Sequence, residues 1–217
     1  AEIRTHYPLA LDDEVAVIRQ EAHLVADLPV PLLEILARFT RALRESPAVN
    51  QRSGVSARFA IAGAETIAAA ARHRAALRGE DEAVARVVDL ESAIDVLGGK
   101  IEFESGEEGR EQAVLQHLLR TATAETVRGR FRGVDLGPLV AALDGRTMVV
   151  TGERVTAREL LESLPSVPGS TVYDDICERS DARTDGTRAS AIELALEGLY
   201  LARRISKESE GGETVYG

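Results

Sequence analysis

A mainly helical fold with a small β-hairpin is predicted for this chain by three observations. Alanine and leucine dominate the sequence, and both are strong helix formers. Apolar residues recur at steps of three and four in segments bounded by polar caps, glycine or proline. Only two short stretches, residues 2–7 and 146–156, carry strand-like patterning.

The first of these, Glu2 to Tyr7, places Ile3, Thr5 and Tyr7 in alternation, and Pro8 ends it. Asp12, Asp13 and Glu14 then supply the acidic start that a helix dipole favours. Val15, Ile18, Ala22 and Val25 predict that this helix runs to about Ala26. "DLPVPLLEILARFTRALRES" is a second helix, with Pro31 where a missing N–H costs little and Leu32, Leu36, Phe39 and Leu43 as its buried stripe. A third, alanine-rich helix is expected from Ser56, a good N-cap, to about Leu77, stopped by Gly79. "VVDLESAIDVLGGK" is a short fourth helix, capped by Asp89 and ended by Gly98 and Gly99. These pieces predict one helical bundle over residues 10–105.

"EFESGEEG" reads as an acidic joint, and Glu107 and Glu108 as its solvated charge. A second helical unit is expected over residues 106–206. It begins with a long helix that turns Val114, Leu118, Ala122 and Val127 inward, and "LGPLVAALDG" follows as a short one. "RTMVVTGERVT" predicts the hairpin, turning at Thr151 and Gly152. Thr156 and Glu159 have capping-box spacing, and Pro165, Pro168 and Gly169 break the helix they open. "ERSDARTDGTR" reads as a polar loop. A last amphipathic helix then buries Ile192, Leu196, Leu199 and Ile205. The polar, glycine-bearing residues 207–217 are expected to be disordered.

The charge balance narrows the partners. A net charge of −10 argues against a nucleic-acid partner, which usually meets a basic excess. Cys177 stands alone, so the chain forms no internal disulfide and no cysteine-built zinc site, a pattern suited to the cytoplasm. No apolar run approaches the ~20 residues of a membrane span. Ala1 at the start and Met148 as the single methionine suggest part of a longer chain.

Most familiar chemistry is missing. His6, His23, His73 and His117 have no ligand-spaced partners, so no metal site is expected. No Gly-x-Ser-x-Gly elbow supports a serine hydrolase. In "LGGKIE" the glycines end a helix, where a phosphate loop would open one, and Ile94 stands where that loop needs its first glycine. "RGRFRG" sets Arg128, Arg130 and Arg132 around Phe131, a pattern able to bind phosphate or stack on bases but favoured here as a helix end.

Arg58 is the informative residue. It sits just inside the alanine-rich helix, at the end carrying partial positive charge, where a cation is mildly unfavourable. Either it pairs with an acid such as Glu65 or lies in solvent, or it serves an anion. A guanidinium there presents fixed donors matched to phosphate oxygens.

The order of these pieces carries a resemblance. "EIRTHYP…DDEVAVIRQEA", a second helix, "GVSARF" opening the third, and "ARVVDLESAI" together resemble the end of an AAA+ ATPase core and its helical lid, nearest to the magnesium chelatase I-subunit and MoxR-like branch. The resemblance covers residues 1–100. It implies that residues 1–9 close the core with its last strand, that 10–105 are the lid, and that 106–206 are a helical extension the likeness does not reach. Gly54, Ser56 and Arg58 match the family's sensor-2 motif, with Arg58 as the catalytic sensor of bound nucleotide, and Asp89 matches the aspartate opening the last lid helix. Ala57 departs from the proline that many members carry.

The resemblance further implies ATP and Mg2+ in the full-length protein, neighbouring subunits in a homo-oligomeric ring, and a protein client. The client's work is remodelling or metal insertion. The phosphate loop, the Walker B acid, the first sensor and the arginine finger are expected upstream, so this part alone is not expected to hydrolyse ATP. Two other readings stand beside it: a helical interaction module without a nucleotide, and a winged-helix DNA regulator using residues 147–156 as its wing.

Overall fold

The computed structural model describes residues 6–50, 52–143 and 147–217. Its described part is mainly helical with one three-stranded antiparallel sheet. In chain order the elements are α1 (Leu11–Glu21), α2 (Val30–Glu45), α3 (Ala57–Arg78), α4 (Val87–Gly98), α5 (Glu111–Arg130), α6 (Gly137–Ala142), β1 (Val149–Gly152), α7 (Ala157–Glu162), α8 (Val172–Arg179), α9 (Asp185–Leu201), β2 (Lys207–Glu210) and β3 (Glu213–Tyr216). The expected strand over residues 2–7 lies outside the described residues except for His6 and Tyr7, which belong to no strand.

α2 buries Leu32, Leu36, Phe39 and Leu43 as its spacing requires, and α3 lays Phe59, Ala64, Ile67 and Ala71 against its neighbours. α1 ends at Glu21, short of the expected Ala26. Ala22 turns extended, and the His23 N–H donates to Glu65 Oε1 on α3 at 3.0 Å. Asp27 then pairs with the chain before α4, accepting from the Ala85 N–H and donating to the Ala83 carbonyl, both at 2.8 Å.

The core does not stop at the acidic joint. One hydrophobic cluster runs from Val15 to Tyr216, and α5 packs on α2 as well as on α9. α9 is buried nearly all round, not amphipathic. Ile192, Leu196 and Leu199 point into the core as expected, but so do Ala191, Leu194 and Ala195. α4, α5, α7 and α8 all pack against it. Gly198 lets α5 approach, because a β-carbon there would lie 2.9 Å from Val127 Cβ and closer still to Cγ1.

Two further expectations are corrected. Residues 147–156 form no local hairpin: β1 pairs with β3, in register Val149 with Tyr216 and Gly152 with Glu213. The terminal residues are ordered as a hairpin, β2 with β3, closed by Gly211 and Gly212 at φ 59° and 83°. A two-residue turn with both φ positive matches the twist of its strands and suits glycine best. Tyr216, 1% exposed, is drawn into the core, and its hydroxyl donates to Glu197 at 2.5 Å. The segment after Gly169 also forms a helix, α8, with Asp174 and Asp175 in its first turn.

Candidate functional site

The predicted motif lies at the head of α3. Gly54 adopts φ +66°, a left-handed conformation that glycine enters freely. A β-carbon there would stand 2.6 Å from the Tyr7 hydroxyl, so glycine also admits Tyr7 to the loop. Ser56 is the N-cap residue, with extended backbone. The expected side-chain cap is absent: its exposed hydroxyl makes no cap hydrogen bond, although its carbonyl accepts from the Phe59 N–H at 3.0 Å.

Arg58, in the first turn, is exposed. Among the described residues it forms no ion pair and no hydrogen bond. Glu65, the acid suggested as its partner, is engaged by the His23 N–H. A cation therefore stands free beside helix amides whose first-turn donors have no intrahelical acceptor. That is an arrangement chemically competent to receive an anion.

The loop leading to Arg58 is held rigidly from behind. Arg44 on α2 donates through Nη1 to Glu14 Oε2 at 2.6 Å and through Nη2 to Oε1 at 3.0 Å. Its Nε donates to the Val55 carbonyl at 2.9 Å, and its guanidinium lies 4.1 Å from the centre of the Tyr7 ring. One arginine thus ties together the segment before α1, α1 itself, α2 and the loop that carries Gly54 and Ser56. On the other side Asn50 accepts from the Gly54 N–H at 3.2 Å and donates to the Glu102 carbonyl at 2.8 Å.

Asp89 is found at the third position of α4, not at its cap. Its carboxylate accepts from the Arg86 N–H at 2.8 Å and takes Arg74 in two-pronged contact at 3.2 and 3.0 Å. These contacts belong to a buried polar junction that the sequence did not disclose. Arg86, 1% exposed, donates to the carbonyls of Val155 at 2.9 Å and Gly152 at 2.7 Å. Its Nε lies 3.0 Å from Glu193 Oε2, close enough for an ion pair, yet the N–H is not aimed at that oxygen and neither atom has a hydrogen bond. Thr151 donates to the other Glu193 oxygen at 2.9 Å. Glu80 receives Arg74 at 3.1 Å and the first amide of α7, from Ala157, at 2.8 Å. Burial pushes the Glu193 carboxyl above the ordinary carboxylate range, against the opposing pull of Arg86 and Thr151. The junction binds α3 and α4 to β1, α7 and α9.

The remaining candidates resolve simply. "RGRFRG" is a helix end: Arg130 pairs with Glu34 and donates to the Arg179 carbonyl at 3.1 Å, while Phe131 is 5% exposed and offers no stacking face. All four histidines are exposed: His6 precedes α1, His23 follows it, His73 is on α3 and His117 on α5. Burial raises the Cys177 thiol above its usual value, which disfavours the reactive thiolate. Among the described residues no group of three or more His, Cys, Asp or Glu side chains is arranged to hold a metal, and no helix is long and apolar enough to cross a membrane. Comparison with family models, with curated proteins and with solved structures finds no match to this chain.

Proposed function

We propose that the chain is the lid and helical extension of an AAA+ ATPase of the magnesium chelatase I-subunit and MoxR-like branch, with Arg58 as its nucleotide sensor. The observation that carries this reading is the free guanidinium of Arg58 at the exposed head of α3, presented by a loop that Arg44 and Asn50 hold in place. A helix amino end and an arginine side chain both favour a polyphosphate. Arg58 would meet the terminal phosphate oxygens and balance charge that spreads over them during transfer.

On this reading Mg2+ and the phosphate cradle would be held by a core domain outside this chain. Lid closure on the nucleotide would move α1 to α4 against a neighbouring subunit of a ring, a hinge-type switch. The polar junction at Arg86 would pass that motion to β1, α7 and α9, and so to a protein client.

The test is made in the ATPase that carries this chain. Arg58→Ala should lower turnover by at least about a hundredfold and weaken nucleotide binding far less, with Arg58→Lys failing to restore it. Unchanged hydrolysis in Arg58→Ala would remove the sensor role. A Gly-x-x-x-x-Gly-Lys-Ser/Thr motif encoded in frame upstream would support the reading, and its absence there would sink it.

A further inference from the structure

A groove of about 740 Å3 runs between the carboxyl end of α4, the start of α5 and the connecting segment. Its floor is apolar: Ile101 and Phe103 are partly exposed there, over Ile94 and Leu115 of the core. Phe103 is held in place by a bridge to Val49 and by the neighbouring Glu104 N–H, which donates to the Ala48 carbonyl at 2.9 Å. These contacts tie the wall that carries Phe103 to the segment after α2.

Its charge selects the occupant. Asp95, Glu104, Glu108 and Glu111 line it, and no Lys, Arg or His does. Among the described residues none of these four carboxylates is in an ion pair or accepts a hydrogen bond. The nearby cations do not answer them: Arg110 faces Glu107 at 3.7 Å, and Lys100 is exposed outside the lining. Gly98 and Gly99 bring the carboxyl end of α4 to the same wall, which adds the negative pole of a helix dipole. Unpaired acids around an apolar floor repel one another until a cation lies among them. A second copy docking groove to groove is a poor occupant, because it would set these acids against their own kind.

We infer that this groove docks a cationic amphipathic segment of another protein, with apolar side chains on the floor and Lys or Arg on the acidic rim. The inference stands on the groove alone and is independent of any nucleotide at Arg58.

The experiment uses the full chain and a short labelled peptide of Leu and Lys at helical spacing, with its Leu and Glu counterpart. Binding is followed by fluorescence anisotropy, and oligomeric state by sedimentation. Two charge-reversed proteins are compared: Glu104→Lys with Glu108→Lys in the groove, and Asp174→Lys with Glu178→Lys on α8, which removes the same charge elsewhere. The Leu/Lys peptide should bind the parent chain. The groove variant should bind it at least about tenfold more weakly, and the α8 variant within about twofold of the parent. The Leu/Glu peptide should bind the groove variant alone. Equal weakening in both variants means unspecific attraction to an acidic protein and overturns the inference, as does failure of the parent to bind. Self-association that the groove variant abolishes would overturn it in favour of a second copy.

Discussion

Arg44 and Glu14, on adjacent helices, meet in a two-pronged ion pair at 2.6 and 3.0 Å, with Glu14 wholly buried. Glu14 has no water to fall back on, and the Arg44 side chain is largely shielded. Truncating one leaves the other stranded in a low-dielectric site. Glu14→Ala or Arg44→Ala should each cost about 3–5 kcal/mol in urea unfolding. The double variant Glu14→Gln with Arg44→Met should recover part of that loss. A single-variant loss below about 1 kcal/mol would instead describe a pair open to solvent.

Arg58 should behave in the opposite way. It is exposed, unpaired among the described residues, and carries its charge at the wrong pole of α3 for stability. Arg58→Ala should leave the melting temperature unchanged or raise stability by about 0.3–1 kcal/mol. A clear loss, more than about 1 kcal/mol by calorimetry, would make Arg58 a structural anchor.

Gly198 marks where α9 and α5 come closest. Gly198→Ala would drive a methyl into Val127, whose stiff, branched side chain cannot swing aside. Helix propensity alone would favour alanine by about 1 kcal/mol. Overpacking should outweigh it and destabilise the chain by about 1–3 kcal/mol. Adding Val127→Ala should reverse most of the loss, and thermal melts of the two variants would show whether it does.

Glu193 gives a dependence on pH. It faces Arg86 just before α4, Asp89 from α4, Arg74 from α3, Thr151 from β1 and Tyr216 from β3. Its folded pKa is raised above the ordinary 4.5 by burial, so the folded chain keeps a proton that the unfolded chain has lost. Stability from this group is then fullest below pH 4.5 and falls as pH climbs through the raised value. Glu193→Gln cannot lose that proton. The parent should weaken relative to Glu193→Gln as pH rises from the ordinary carboxylate range toward neutrality, measured by urea unfolding. A difference that stays constant across that range would rule this out.

Helices with strong punctuation were legible from the sequence. Thr156 and Glu159 do form the capping box, with the Glu159 N–H donating to Thr156 Oγ1 at 3.1 Å and the Thr156 N–H to Glu159 Oε2 at 2.8 Å. Gly79 does end α3, at φ +67°. Long-range pairing was not legible. β1 finds its partner beyond α9, and nothing local to Val149 announces β3. The terminal hairpin left a signal that composition outweighed: Gly211 and Gly212 are a turn pair between short strand-length runs. α9 misled because Glu193 and Glu197 occupy its sequence like surface charges, while both are buried against partners supplied by distant segments. At the candidate site, the placement of Arg58 followed from its spacing behind Ser56. The Arg44 brace behind it did not, since it joins residues from three separate stretches.

The sheet is assembled out of chain order, since its middle strand, β3, is the one furthest along the chain. During synthesis β1 leaves the ribosome with both edges bare and must wait for α7, α8 and α9 before its neighbour exists. The sheet thus closes only once β3 has been made, and a stall before residue 213 would leave the β1 edge that β3 covers open to other chains.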